Sequence, residues 1–415
     1  MTNAVPPRGS VCGRRVPAIA SALALGIVLV PALAAPLSSQ GSTFSVLYSF
    51  TGNPDGAAPQ AGLLLDAKGN LYGTTYAGGA NNYGVVFKVD PNGNETVLYS
   101  FNWGKDAGCP YGNLVQDAAG NLYGTTEGCE TALLGVVFKL DTAGKETVLH
   151  TFAGYPHDGE SPFSGLIMDA AGNLYGTTEG GGAYQNGTVF ELGKNGRYTV
   201  LYSFVGAPDG DSPYGGLVID DSGNLYGTTR EGGSSGLIWE SQLPLGFEGP
   251  HQAGLGTVFE LDPSGNETVL YNFTGAPDGE FPMSGLIAHG GNLYGTTLDG
   301  ADDDYGIVFK VDAAGNETVL YSFGGGKQGA NPYGGLVRDA AGNFYGTTFQ
   351  GGDCNYGVVF KVDSSGNEAV LHSFSGGLDG AYPYAGLIQD KSGNLYGTTT
   401  VGGAGGAGTV FKIKP

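Results

Sequence analysis

Gly69-Asn70-Leu71-Tyr72-Gly73-Thr74-Thr75 is the first of seven copies of one heptapeptide. Its tyrosine returns as Tyr123, Tyr175, Tyr226, Tyr294, Tyr345 and Tyr396, with Phe344 in place of leucine in the sixth copy. The successive spacings are 51, 52, 51, 68, 51 and 51 residues, so the chain is a tandem array of one unit of about 50 residues. Each unit cannot bury its apolar surface alone and must stack on its neighbours.

Within the unit that begins at Asn331, four β-branched or aromatic runs follow one another: 332–339, 343–348, 357–363 and 368–374. Asp-Ala-Ala-Gly-Asn joins the first two runs, and Asp-Ser-Ser-Gly-Asn joins the last two. Glycine supplies positive φ there and Asp and Asn side chains cap the reversal, which predicts tight hairpins between four strands A, B, C and D. Seven such units predict an all-β, seven-bladed β-propeller with four antiparallel strands per blade. The strands are apolar on both faces, as a blade sandwiched between two others requires. A lone D-type strand, 45–50, precedes the first unit, and the last unit stops after a C-type strand, 409–413. The N-terminal strand is therefore expected to complete the last blade and remove the edge that an open solenoid, the alternative, would expose.

Upstream, Arg8, Arg14 and Arg15 precede an apolar run, 19–30, and Ala32-Leu33-Ala34, which reads as a Sec-type signal peptide over residues 1–34 cleaved near Ala35. Residues 35–43 are a short linker, and 44–415 form a single propeller. The run is short for a membrane span, which needs roughly 20 residues. Removing 1–34 takes away three arginines and no acid, moving the net charge from −21 to −24. Such a surface repels phosphate backbones and anionic lipid, so nucleic acid and membrane are excluded as partners. The expected destination is extracellular or periplasmic, and the expected state monomeric.

The residues match a known repeat family. Gly-Asn-Leu-Tyr-Gly-Thr-Thr, a Gly-Gly loop and a Val-Phe-Lys-Val-Asp strand resemble the GloVer tandem-repeat proteins over essentially all of 44–413. That resemblance implies a secreted or surface-anchored bacterial protein. More distantly, Pro-x-Gly-Leu-x-x-Asp, Gly-Asn-Leu-Tyr and Phe-Lys-x-Asp resemble NHL-type and gluconolactonase-type propellers. Some gluconolactonase-like relatives hold a divalent metal in the channel with Glu, Asn and Asp side chains. The A segments here offer mostly Gly, Leu, Val and Ile before an Asp that belongs to the turn, so lactonase activity is not transferred.

Antiparallel A and B place the D–A and B–C loops on one rim, where the units differ, and the uniform hairpins on the other. Eighteen extra residues interrupt the fourth unit, giving an insertion, 234–255, that carries Trp239, Glu240, Phe247, Glu248 and His251. Trp103 lies on the same rim, and Tyr111, Tyr214, Tyr333 and Tyr384 begin A segments after proline. Together these residues are the candidate ligand-binding set, as platforms for the flat apolar faces of sugars; for the tyrosines, packing between blades is the competing role. Asp299, Asp302, Asp303 and Asp304 crowd one loop and offer a weak Ca²⁺ site, although no EF-hand pattern is present and no cofactor is otherwise expected. Cys109 and Cys129 fall on one rim of one blade and are expected to form a disulfide, leaving Cys354 without an intramolecular partner. No nucleophile elbow, zinc-binding histidine pair or phosphate-cradling loop is present, so no catalytic residue is assigned. The expected function is a binding scaffold for carbohydrate or a surface protein. The alternatives are a hydrolase or lyase at the channel mouth, possibly metal-assisted, and a purely structural cell-surface module.

Overall fold

The computed structural model describes residues 41–104, 106–129, 133–234 and 254–415. Its regular structure is dominated by seven four-stranded antiparallel sheets, each in the spatial order A-B-C-D. In blade 1 the strands are Leu64–Leu65, Leu71–Thr75, Val85–Val89 and Glu95–Ser100. The fold is a seven-bladed β-propeller. Blade 7 takes A, B and C from Ile388–Gln389, Leu395–Thr399 and Thr409–Lys414 and its D strand from Thr43–Ser49. Thr43 pairs with Lys414 and Ser49 with Thr409, so the ring is closed by the N-terminal strand and an open solenoid is ruled out.

The repeat's letters explain how blades form and join. Asp66 Oδ1 accepts from the Asn70 N–H at 2.9 Å, and Tyr72 Oη donates to Asp66 Oδ2 at 3.2 Å, which fixes the A–B hairpin. Leu71 is 2 % exposed and fills the core. Glycine at position 73 is required by packing: a Cβ there would stand 2.6 Å from Cζ of Phe87, whose ring lies over the backbone. In six of the seven units the first threonine clasps the next blade, as Thr125 donates to Ser164 O at 3.0 Å and Thr347 to Ala385 O at 2.9 Å; the Thr74 hydroxyl is buried with no partner among the described residues. The second holds its own rim loop, as Thr348 donates to Gln350 O at 2.7 Å.

Those clasps correct one expectation. Strand A, read as four to seven residues, pairs with B over two residues in six blades and three in blade 5. The glycine-rich residues before it leave their own B strand, and in six of the seven interfaces one of their carbonyls accepts from the preceding blade's first threonine.

Between blades, seven edge-to-face phenylalanine pairs carry the core. The last residue after each D strand meets the C-strand ring of the next blade, with centroids from 5.0 Å in Phe50–Phe87 to 5.4 Å in Phe374–Phe411. Further out, each interface holds a matched pair. Tyr48, Tyr99, Tyr202, Tyr271 and Tyr321 in D strands lie near Glu95, Glu146, Glu267, Glu317 and Glu368, which open the next blade's D strand. Where the tyrosine is replaced by His150 or His372, the glutamate is replaced by an aromatic ring: His150 stacks on Tyr198 and His372 on Phe44, both at 3.7 Å.

The D-strand Tyr or His also bonds an aspartate of the following loop. Tyr48 Oη donates to Asp55 at 2.6 Å, and the equivalents are Asp106, Asp158, Asp209, Asp278 and Asp379. The second unit, which lacks an Asp-Gly pair, keeps this contact through Asp106. The sixth has Gln328 at this point, and the Tyr321 hydroxyl is buried without a partner.

Candidate functional site

The D–A and B–C loops do meet on one rim. In blades 3, 4 and 5 they form two-residue ribbons, such as Gly159–Glu160 with Gly180–Gly181. The residue before each A-segment proline is left-handed in all seven blades: Ala58, Cys109, Ser161, Ser212, Phe281, Asn331 and Tyr382, with φ from 52° to 57°. Its carbonyl accepts from the residue just after the Thr-Thr pair, as in Tyr76 N to Ala58 O at 3.0 Å, while its N–H reaches the preceding blade. Those two bonds hold a conformation that costs non-glycine residues of order 1 kcal/mol.

This geometry places seven non-equivalent side chains around the mouth of the channel: Tyr76, Glu127, Glu179, Arg230, Leu298, Phe349 and Thr400. Blades 1 to 4 make the polar half. Tyr76 Oη donates to Glu127 Oε1 at 2.6 Å. Arg230, whose side chain is 10 % exposed, lies 3.5 Å from Glu179 and 3.3 Å from Glu231. Burial raises the Glu127 carboxyl above its ordinary range, against the hydrogen bond from Tyr76. Burial also raises Glu179, opposed by Arg230 and reinforced by Glu231, Glu127 and Asp211. Across the ring, blades 6 and 7 make an aromatic half. Phe349 stacks on Tyr382 at 4.9 Å and meets Tyr333 at 5.3 Å, and Tyr356 abuts Tyr382 at 5.4 Å.

The floor of the mouth is built from the residues after the prolines. Tyr111 meets Phe163, Tyr214 and Tyr384 edge-on at 5.1, 5.9 and 5.7 Å; Tyr333 stacks on Tyr384 at 4.6 Å; and the Tyr214 and Tyr384 hydroxyls are 3.3 Å apart. Burial raises the Tyr111 and Tyr214 hydroxyls far above the phenol range, raises Tyr384 against hydrogen bonds from Tyr111 and Tyr214, and pushes Tyr333 up to about 12. The four sequence-assigned tyrosines therefore converge on the axis, where their rings pack against one another and line the pocket there.

The remaining candidates scatter. Trp103 is 67 % exposed on its D–A loop. Trp239, Glu240, Phe247, Glu248 and His251 lie outside the described residues, as do residues 1–40; the insertion leaves the ring at Ser234 and returns at Gly254, beside Arg230 and Glu231. Asp299, Asp302, Asp303 and Asp304 do not all meet: Asp299 and Asp304 lie near each other and Glu280, apart from Asp302 and Asp303. Asp299 bonds Asn331 at 2.7 Å and Asp304 accepts from Gly300 N, while Asp302 and Asp303 border a separate depression with Asp278 and Glu317. Among the described residues, no group of three or more His, Cys, Asp or Glu is arranged to hold a metal ion. Cys109 and Cys129 form the expected disulfide, with Cα atoms 5.4 Å apart. Cys354 is itself disulfide-bonded, with its partner outside the described residues.

Glu127, Glu179, Arg230 and Phe349 were missed by the sequence reading. Their signal was available: they occupy the first position after an unvarying Thr-Thr, where the seven units carry seven different environments. Among the described residues no helix is long and apolar enough to cross a membrane.

Solved structures share the architecture at low identity. The extracellular domain of a putative hybrid two-component system from B. thetaiotaomicron aligns over 88 % of this chain with 9 % identity and a TM-score of 0.56; the chain spans only 39 % of that protein's length. A gluconolactonase from Xanthomonas campestris aligns over 90 % of this chain and 89 % of its own, with 14 % identity and a TM-score of 0.44. These likenesses speak to fold alone. No curated protein sequence matches. The model of the Gloeobacter/Verrucomicrobia repeat matches residues 35–169, 117–242 and 247–415, nearly the whole propeller. The chain belongs to the Gloeobacter/Verrucomicrobia repeat family.

Proposed function

We propose that the protein is an exported binding module that takes a carbohydrate at the loop-rim mouth. The observation that carries this reading is the division of the mouth: the Phe349–Tyr382 stack faces the Glu127, Glu179 and Arg230 groups across the axis. Aromatic faces stack on the apolar faces of sugar rings, and carboxylate and guanidinium groups bond their hydroxyls. The shared letters of the repeat are committed to hairpins, clasps and core, which leaves this ring as the chemically individual part of the molecule.

Export by a Sec-type signal over 1–34 belongs to the same proposal, supported by the Cys109–Cys129 disulfide, a bond that persists in oxidising compartments. N-terminal sequencing of the mature protein should begin near Ala35; a chain that retains Met1 contradicts export by cleavage. The insertion 234–255, with Trp239, interrupts a B–C loop of the same rim in sequence, and we assign it to recognition alongside the mouth.

The test is a glycan array probed with the monomeric propeller and with Phe349→Ala. The proposal predicts a defined glycan class bound by the former and lost in the latter. Absence of binding, or binding insensitive to Phe349→Ala, contradicts it. The raised carboxyls of Glu127 and Glu179 beside Arg230 favour a second reading, a hydrolase. If array-positive glycan is recovered intact after prolonged incubation, with and without added Ca²⁺, the binding role stands; cleavage abolished by Glu179→Gln would replace it.

A further inference from the structure

The charges around the mouth do not balance. Arg230 is the one basic residue among the seven mouth positions, and its side chain, 10 % exposed, lies 3.5 Å from Glu179 and 3.3 Å from Glu231. Glu127 brings a third carboxylate, bonded by the Tyr76 hydroxyl at 2.6 Å, a neutral donor that cancels no charge. Among the described residues neither Glu127 nor Glu179 has a further hydrogen-bond or ion-pair partner. A carboxylate accepts up to about four hydrogen bonds, so both keep open acceptor positions on the polar half of the mouth. Burial raises both carboxyls; at Glu179 the rise is opposed by Arg230 and reinforced by Glu231, Glu127 and Asp211. A cation arriving there relieves a repulsion that the protein's own groups leave standing.

The aromatic half points independently to the same kind of ligand. Phe349, stacked on Tyr382 at 4.9 Å and 5.3 Å from Tyr333, belongs to a wall of rings whose negative faces attract a cation as well as the apolar face of a sugar. At longer range, 39 Asp and Glu against 18 Lys and Arg draw cations to the surface. An acidic sugar is disfavoured, because the single guanidinium is already flanked by two carboxylates. We infer that the carbohydrate taken at the mouth is an amino sugar with its nitrogen unacylated, the ammonium on the Glu127 and Glu179 side and the ring face on Phe349. The inference narrows the carbohydrate reading of the mouth and rests on it.

The test is calorimetry with two oligosaccharides of equal length, a glucosamine oligomer and its fully N-acetylated form, at mildly acidic pH and constant ionic strength. The glucosamine oligomer should bind about tenfold or more tightly than the acetylated one. Glu127→Gln, which can still accept from Tyr76 but has no charge, should cut that preference to about threefold or less. Spermidine, which has amines but no ring face, should bind more weakly than the glucosamine oligomer and be indifferent to Phe349→Ala. Equal affinity for the two oligomers, or a preference unchanged in Glu127→Gln, overturns the inference; if Phe349→Ala still abolishes binding of either, the carbohydrate reading survives that failure. Spermidine matching the glucosamine oligomer also overturns it and assigns the attraction to net charge. If neither oligomer binds, the inference falls, and the carbohydrate reading falls with it only when the glycan array is blank as well. Comparison of the two oligomers needs no variant, so it decides the matter even if Glu127→Gln fails to fold.

Discussion

Thr347 illustrates why single letters of the heptapeptide recur. Its hydroxyl is buried and bonded to Ala385 O of the next blade, so removing it leaves a carbonyl without its donor. Thr347→Val should lower unfolding free energy by about 1–2 kcal/mol in urea melts, and Thr347→Ser should recover most of it. Gly73→Ala should cost more, about 1–3 kcal/mol, since the added methyl collides with the buried Phe87 ring. These residues were readable as scaffold because they repeat. Their neighbours at the mouth were harder to read: a carboxylate at Glu127 and Glu179, a guanidinium at Arg230 and an aromatic ring at Phe349 form no repeating pattern, and only alignment on the preceding Thr-Thr shows that they occupy one ring. Trp103 was readable as a rim residue from its place in the D–A loop, and it stands exposed there.

Strands B, C and D follow from alternation and turn chemistry, whereas strand A does not. The run Tyr-Gly-Gly-Leu-Val-Arg has strand composition, yet its ladder is only Val337–Arg338, and its Gly334 carbonyl accepts from Thr296 of the preceding blade at 3.4 Å. Tertiary competition of that kind leaves no local trace. The D strands carry a subtler pattern, Tyr facing Glu in five interfaces and His facing an aromatic ring in two. Matched pairs should couple: His150→Tyr and Tyr198→Glu are each expected to destabilise, and the double variant to recover part of the loss, with an interaction energy of about 0.5–3 kcal/mol in a double-mutant cycle. Strict additivity would contradict the pairing.

For the whole molecule, the interface glutamates set the pH dependence. Burial pushes Glu95, Glu267, Glu317 and Glu368 up to about 7 from an ordinary 4.5, and each has a carboxylate oxygen with no partner. The folded state holds protons that the unfolded chain has released, so this contribution is complete below about pH 4.5 and disappears as pH rises through 7. The hairpin aspartates act in the other sense. Partial burial works against Asp66, but hydrogen bonds from Asn70, Lys68 and Tyr72 hold it below 3.8, and Asp117, Asp169, Asp339 and Asp390 behave alike. Their contribution is lost as pH falls below that value. Tm should therefore peak near pH 4–5 and decline toward pH 8. Replacing the four glutamates with glutamine should flatten the decline more than replacing four exposed carboxylates does; equal flattening would assign it to net charge instead.

The antiparallel order of A and B fixes which loops share a rim, and closure of the ring by Thr43–Ser49 gathers seven side chains of six kinds at a single mouth. Calorimetric titration of an array-positive glycan into the propeller and into the Phe349→Ala/Glu179→Gln variant tests that assignment most directly, with Tm recorded for both. Loss of affinity of about tenfold or more with Tm nearly unchanged is the predicted result. Undiminished affinity in the variant would contradict the claim that function resides where the blades differ around the mouth.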